Sequence, residues 1–186
     1  MGIKKIKQSL LEFKEVRNLC IMAALIAMMM VVRMVSTIKL SSFLEIRFDF
    51  LVFLIAGSMF GPVFSVFFGF VADVLPFYFL GSAANFHWGF TLSSIINVLI
   101  YGVFLYKYKF DPIRVILVQI LNNVLIGFFM NTYWLSSICF GGSFMKAFFM
   151  RLPKECMTLP INCLLAVDLV VVFKRVVVGL KLDSLN

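Results

Sequence analysis

The stretch FDFLVFLIAGSMFGPVFSVFFGFVADVLPFYFL, residues 48–80, is apolar almost throughout and contains two charged residues, Asp49 and Asp73. Gly61-Pro62 divides it near the middle. This dipeptide predicts a tight turn, because proline has no backbone donor and glycine gives the backbone extra freedom. We therefore predict two apolar helices in this stretch, residues 48–60 and 63–80.

The rest of the chain is similarly apolar. Hydrophobic residues make up 62% of the 186 residues, charged residues make up 14%, and the mean hydropathy is +1.04. A soluble fold of this size could not bury so much apolar surface, because small domains keep a large surface-to-volume ratio. Runs of about 20 apolar residues, long enough to cross a hydrocarbon core of roughly 30 Å, recur along the sequence. The composition predicts an all-α, multi-pass protein of the cell membrane.

The apolar pattern predicts six transmembrane helices. The second is short, so five or seven remain alternative counts. The predicted helices cover residues 18–38, 48–60, 63–80, 90–106, 115–135 and 146–173. We expect residues 1–17 to form a basic N-terminal segment and residues 18–186 to form one six-helix transmembrane domain. The stretch KLSSFLEIR, residues 39–47, is predicted to be a polar connection between the first two helices.

Lysine and arginine residues are distributed unequally between the two ends of these helices. One end, with both termini, carries Lys4, Lys5, Lys7, Lys14, Arg17, Lys107, Lys109, Arg114, Lys174, Arg175 and Lys181. The opposite end carries Lys39, Arg47 and Lys146. Basic residues favour the cytoplasmic side of a membrane, so both termini are predicted to be cytoplasmic. The formal charge of +8 therefore indicates membrane topology, and no binding to nucleic acid is predicted.

Several charged side chains fall within or at the ends of the predicted helices and, given this orientation, share the outward half of the bundle. These are Arg33, Asp49, Asp73, Arg151, Lys154 and Glu155. An ion at such a depth costs at least a few kcal/mol unless it is paired or hydrated. Arg151 and Glu155 share a helical face, being four positions apart. Two interpretations remain open: the ions brace the last helix, or they line an outward-open cavity that suits an anionic ligand.

Aromatic and amide side chains near these ions also have two interpretations. Trp88 and Trp134 fit the aromatic belt at a membrane surface, or they stack a flat heterocycle at a cavity mouth. Asn97 and Asn131 could bind a ligand, although tying helices together is the commoner role.

Three segments of the chain resemble a known family: FGPVFSVFFGFVADVL (60–75), GFTLSSIINVLIYGVFLYK (89–107) and NTYWLS…RLPKECMTLPI (131–161). They are similar to the substrate-binding S subunits of energy-coupling-factor (ECF) vitamin transporters, in particular those for folate. The resemblance covers nearly the whole chain. It implies a six-helix S-component fold with a vitamin pocket in its outer half. It also implies association with a transmembrane coupling subunit and two ATPase subunits.

The resemblance further implies that the partner docks on small residues of the first helix. Ala23 and Ala27 fall where the Ala-x-x-x-Ala motif of the family lies. Residues at this spacing also serve ordinary packing within a bundle. One stretch departs from the family: where an aromatic-Pro-Gly-Phe sequence is usual, this chain has Phe86-His87-Trp88-Gly89-Phe90.

Folate consists of a flat pterin ring and a glutamate tail, and both parts suit the candidate site chemically. The predicted substrate-binding residues are Arg33, Asp73, Trp88, Phe90, Trp134, Arg151, Lys154 and Glu155. We expect a carboxylate among them to bind the amino group of the pterin and the aromatic side chains to stack on its ring. The cations are expected to pair with the two carboxylates of the tail.

Two other functions remain open. One is an S subunit for another vitamin, such as riboflavin or pantothenate. The other is an intramembrane enzyme using Asp73, His87 and Glu155, although these residues match no metalloprotease pattern. No catalytic residue, metal ligand or cofactor is predicted, because the four cysteines form no Cys-x-x-Cys pair and have no histidine nearby. The sequence has no G-x-x-x-x-G-K-[ST] phosphate loop, so energy for transport must come from a partner.

Overall fold

The computed structural model describes residues 15–36, 38–41, 44–46, 48–80, 86–106, 111–139 and 141–179. Most of the predicted basic segment, residues 1–14, lies outside the described residues, as do the connections at 81–85 and 107–110. The described part is helical apart from one short hairpin.

Six α-helices and one π-helix make up most of the described chain. Helix α1 spans Val16–Ser36, α2 Phe50–Leu80, α3 Trp88–Phe104, α4 Pro112–Asn122, α5 Asn131–Cys139 and α6 Phe144–Gly179. The π-helix, Asn123–Met130, joins α4 directly to α5. The stretches long and apolar enough to cross a membrane are Val16–Val35, Phe50–Phe79, Pro112–Ile138 and Phe144–Val172, with Trp88–Phe104 shorter but also apolar. The prediction of a helical membrane protein is confirmed.

Helix α2 is broken at Gly61, where φ is 79° and ψ is −171°. Glycine adopts this conformation readily because it has no Cβ, and Pro62 supplies no donor to continue the helical hydrogen bonds. Asp49 and Asp73 line the same pocket, although in a straight α-helix their 24-residue separation would place them about 36 Å apart. The chain therefore doubles back at Gly61, as the sequence predicts.

Helix α3 packs against both arms of α2 through glycines. A Cβ on Gly57, in the first arm, would come within 2.8 Å of Cβ of Tyr101. A Cβ on Gly69, in the second arm, would come within 2.7 Å of Cα of Ile95. Small residues allow such close helix approach in membrane proteins, where dispersion contacts hold helices together. This packing fixes the start of α3 beside the second arm of α2.

Replacing Gly61 with alanine is expected to destabilise the fold. The positive φ costs an L-residue roughly 1–2 kcal/mol, and the new Cβ would meet the ring of Tyr106 at 2.9 Å. Gly141→Ala is the matched control, because Gly141 also has a positive φ but nothing lies within 4 Å of its Cβ position. Thermal unfolding in detergent should show a clearly larger loss for Gly61→Ala. Equal melting temperatures for the two variants would contradict this account of the break.

The π-helix lies in the middle of the Pro112–Ile138 stretch and was not anticipated from sequence. Gly127 belongs to it, and its carbonyl oxygen accepts a hydrogen bond from Oγ1 of Thr132 at 3.3 Å. Segments of π-helix within α-helices are frequent at functional sites because they re-aim side chains. Helix α6 continues through Pro153 and Pro160 and is longer than the predicted 146–173.

The predicted polar connection at 39–47 contains a two-stranded antiparallel hairpin. Strand β1 spans Ile38–Ser41 and strand β2 spans Leu44–Ile46, with Ile38 opposite Ile46 and Lys39 opposite Glu45. The sequence analysis missed it because strands of three or four residues are too short to show a period-two pattern.

Candidate functional site

A pocket lies where the beginning of α2, its second arm, the beginning of α3 and the π-helix meet. It is lined by Asp49, Phe53, Asp73, Phe90, Ser93, Ser94, Asn97, Ile126 and Asn131. About 330 Å³ of space, part of it open to solvent, lies among these residues. The part of this space that a water-sized molecule can occupy is about 40 Å³, so a larger ligand has to widen the pocket. We call it the Asp73 pocket.

Helix α3 provides one continuous face of the pocket. Phe90, Ser93, Ser94 and Asn97 stand at positions i, i+3, i+4 and i+7, which share one side of an α-helix. His87 starts this helix: its Nδ1 accepts a hydrogen bond from the backbone N–H of Gly89 at 3.1 Å. The histidine cap thus stands in the stretch where the family usually has a proline.

Asp73 presents a negative charge to the pocket. One carboxylate oxygen accepts a hydrogen bond from Oγ1 of Thr91 at 2.8 Å, and Oγ of Ser94 lies 3.5 Å from the other. Within the part of the chain that the structure describes, no lysine or arginine lies within ion-pair distance of Asp73. The carboxylate is therefore held in position by neutral donors and keeps acceptor capacity for a ligand.

Arg33 and Asp49 form an ion pair beside the same pocket. The guanidinium of Arg33, in α1, donates to Oδ2 of Asp49 at 2.8 Å, and both side chains are largely buried. Asp49 lines the pocket and immediately precedes α2. The pair ties α1 to α2, and it neutralises a carboxylate that would otherwise repel an anion.

A second ion cluster lies on α6. Arg151 donates to Oε1 of Glu155 at 2.9 Å, and Nζ of Lys154 lies 3.5 Å from the same oxygen. The predicted i, i+4 pair is thus present, and both its members are buried. Nε of Arg151 is also buried and has no hydrogen-bond partner among the described residues. Two cations thus lie within ion-pair distance of one carboxylate.

The α6 cluster adjoins the Asp73 pocket through the π-helix. A Cβ on Gly127 would come within 2.7 Å of Oε2 of Glu155, so the glycine allows that carboxylate to approach the helix backbone. Ile126, the preceding residue, lines the pocket.

The predicted tryptophans lie near the start of α3 and do not line the Asp73 pocket. The ring of Trp134 lies against Gly89, where a Cβ would collide with it, and its centroid is 5.6 Å from that of His87. Trp88 is 69% exposed and meets Phe86 edge to face at 5.0 Å. Of the predicted aromatic residues, Phe90 lines the pocket.

Ala23 and Ala27 lie on an exposed face of α1. Met28, Val31 and Val35 extend this apolar face along the helix. The two alanines are therefore accessible to a partner or to lipid. They do not line the Asp73 pocket.

The pocket also contains residues outside the predicted substrate-binding set. Asp49, Asn97 and Asn131 were only considered as possible cavity or ligand-binding residues, and Phe53, Ser93, Ser94 and Ile126 were not considered. The α3 members could have been found by extending the helical face of Phe90 by three, four and seven positions. Asp49 carries no such local signal, because its role depends on the chain reversal at Gly61.

Comparisons with known proteins agree with this architecture. The family described as "ECF transporter, substrate-specific component" matches residues 17–170. The chain is 37% identical over 121 residues to the folate transporter FolT of Clostridium novyi (strain NT), covering 65% of this chain and 69% of that protein. A crystal structure of FolT bound with folic acid is similar with a TM-score of 0.74 and 30% identity, covering 83% of this chain and 91% of that one. The chain thus belongs to the substrate-specific components of ECF transporters, a family of membrane transport subunits and not of enzymes.

Proposed function

We propose that this protein captures folate outside the cell and delivers it, with an ATP-driven coupling module, across the plasma membrane. The observation that carries this proposal is the Asp73 pocket, which places an unneutralised carboxylate beside neutral polar groups and next to an ion cluster that contains two cations. A pterin ring bearing N–H donors, joined to an anionic tail, is complementary to that combination. The similarity to folate transporters supports the same substrate.

The ring is proposed to enter the Asp73 pocket. Asp73 repels the tail carboxylates of folate but accepts hydrogen bonds from the amino and N–H groups of its ring. Phe53 and Phe90 line the same space and offer aromatic surfaces for a flat heterocycle. Trp88 and Trp134, at the beginning of α3 and on α5, would then contact the part of the ligand nearer the pocket mouth.

The tail is proposed to bind beside α6. Nε of Arg151 is buried and has no hydrogen-bond partner among the described residues, so a ligand carboxylate can accept a hydrogen bond from it. Arg33, on α1, contributes positive charge beside the Asp73 pocket, and Asp49 partly offsets this charge. Hydrogen bonds of this charge-assisted kind are roughly twice as strong as neutral ones.

The proposed topology has six transmembrane helices with both termini in the cytoplasm. The chain reversal at Gly61 supports it, because α2 then contributes two antiparallel arms. With α1, α3, the α4–α5 segment and α6, this gives six passes. The excess of lysine and arginine at the end of the termini supports the cytoplasmic assignment, and with this topology the Asp73 pocket would lie in the outer half. Residues 1–17 would be a cytoplasmic segment and residues 18–186 the substrate-binding domain.

The proposed partners are a transmembrane coupling subunit and two ATPase subunits, docked on the Ala23 face of α1. We expect Ala23→Leu/Ala27→Leu to abolish co-purification with a co-expressed coupling module while leaving ligand binding unchanged, since bulky side chains prevent close helix approach. Leu164→Phe, an exposed change on α6, is the control and should retain the module. Full assembly of the double variant would disprove the docking assignment.

Equilibrium binding to the purified chain tests the substrate. Folic acid, riboflavin and pantothenate would be titrated separately into detergent-solubilised protein and followed by calorimetry or tryptophan fluorescence. We expect saturable one-to-one binding of folic acid alone. Binding of riboflavin or pantothenate with no response to folic acid would reassign the substrate.

A further inference from the structure

Two asparagines connect the Asp73 pocket to the interior of the bundle. Asn97, on α3, lines the pocket. Asn122, the last residue of α4, is almost fully buried and is not one of the pocket-lining residues. Its Nδ2 lies 2.7 Å from Oδ1 of Asn97 and 3.3 Å from the backbone carbonyl oxygen of the same residue. Asn122 therefore contacts Asn97 without lining the pocket itself.

The backbone contact determines which way both amides point. A backbone carbonyl oxygen can only accept, so the atom of Asn122 that faces it must be the donor, Nδ2. The side-chain atom of Asn97 facing the same donor must then be the acceptor, Oδ1. No described residue accepts a hydrogen bond from Nδ2 of Asn97, so this donor remains available to a ligand in the pocket that Asn97 lines.

Asn97 and Asp73 line the same pocket, so this donor and the carboxylate acceptor of Asp73 serve the same space. Ser94, whose hydroxyl reaches Asp73, stands one turn before Asn97 on α3. Positions three apart on a helix are about 5–6 Å apart at Cβ, so the carboxylate and the carboxamide can address neighbouring atoms of one ring. The pocket wall thus presents an acceptor next to a donor.

We infer that Asn122 is a positioning residue for ligand specificity: it fixes the amide of Asn97 so that the pocket selects rings carrying N–H donors next to a carbonyl acceptor. In the substrate proposed above, the 2-amino and N3–H groups would face Asp73 and the 4-oxo group would face Nδ2 of Asn97. A ring with an amino group in place of the 4-oxo group would place donor against donor. This inference rests on the proposed function and concerns how the same site chooses its ligand.

Paired titrations of folic acid and 4-amino-4-deoxyfolic acid test the inference. Asn122→Leu removes the group that orients Asn97, and the expected loss of folic acid affinity is about tenfold. The affinity for the 4-amino ligand should fall less than about threefold. This ligand gains nothing from the Nδ2 donor, and an Asn97 side chain released from Asn122 can rotate to accept a hydrogen bond from the 4-amino group. A site that hydrogen-bonds its ligand rejects a related ligand strongly when that ligand leaves a buried polar group of the site unpaired. A merely structural role would weaken both ligands equally.

Two further variants keep the test decisive. Gln119→Leu is the matched control: Gln119 is as buried as Asn122 and lies on the same helix, but it bonds the hydroxyl of Tyr101 at 2.6 Å and does not contact Asn97. It should not change the ratio of the two affinities. Asn97→Ala, at a less buried position, should reproduce the selective loss even if Asn122→Leu fails to fold.

The outcomes separate the two proposals. Folic acid binding by the wild type, with a selective loss in Asn97→Ala and Asn122→Leu, supports the inference. Equal weakening of both ligands, no weakening, or the same selective change in Gln119→Leu overturns it while leaving folate as the substrate. If wild-type protein binds neither ligand, the proposed function fails with it.

Discussion

Asp73→Asn is expected to weaken folic acid binding about a hundredfold. The substitution preserves the shape of the side chain but removes the negative charge of the carboxylate that Thr91 and Ser94 hydrogen-bond. A hydrogen bond to a charged group is worth roughly 1.5–3 kcal/mol, and about 2.7 kcal/mol corresponds to a hundredfold change in affinity. The new amide N–H₂ would in addition face the donors of the ring. Titration of purified variant with folic acid measures the effect.

Asp168→Asn is the control for this variant. Asp168 is also a carboxylate in the membrane-spanning part of the chain, but it is exposed on α6 and lines no part of the Asp73 pocket. Its substitution should leave the affinity unchanged. Folic acid binding to Asp73→Asn within threefold of the wild-type affinity would show that Asp73 does not contact the ligand.

Arg151→Met is expected to lower the free energy of unfolding by about 3 kcal/mol and to weaken folic acid binding. Removing one member of a buried ion pair leaves the other charge uncompensated, which typically costs 3–5 kcal/mol. Lys154, 3.5 Å from Glu155, moderates this loss. Thermal and chemical unfolding in micelles give the stability, and titration with folic acid gives the affinity.

The double variant Arg151→Met/Glu155→Leu separates bracing from ligand binding. Replacing both members of a buried pair with apolar residues is often neutral or stabilising, so stability should return to about the wild-type level. Affinity for folic acid should stay at least tenfold reduced, because the double variant lacks the Arg151 guanidinium that is proposed to bind the glutamate tail. A stable double variant with wild-type affinity would mean that the two ions only brace the helix.

Local patterns in the sequence predicted the parts of the site that depend on local geometry. Gly61-Pro62 marks the break in α2, and Arg151 and Glu155 pair because they stand one helical turn apart. Composition and the apolar pattern predicted a helical membrane protein, and the resemblance added the ECF S-subunit family, which the comparisons confirm for residues 17–170. Where the termini lie, and the roles of the predicted site residues, stay predictions.

The rest of the site depends on contacts between distant residues. Arg33 reaches Asp49 and Asn122 reaches Asn97 across separate helices, 16 and 25 positions apart. No local periodicity specifies which polar residues will meet in this way. The π-helix was also not predictable from sequence, because no distinct composition specifies its i→i+5 hydrogen bonds.

A structure of the protein with folic acid bound tests the central claim most directly. We expect the pterin ring in the Asp73 pocket, with hydrogen bonds to Asp73 and to Nδ2 of Asn97, and the glutamate tail beside Arg151. A ring bound elsewhere, with Asp73 making no contact to the ligand, would contradict the account.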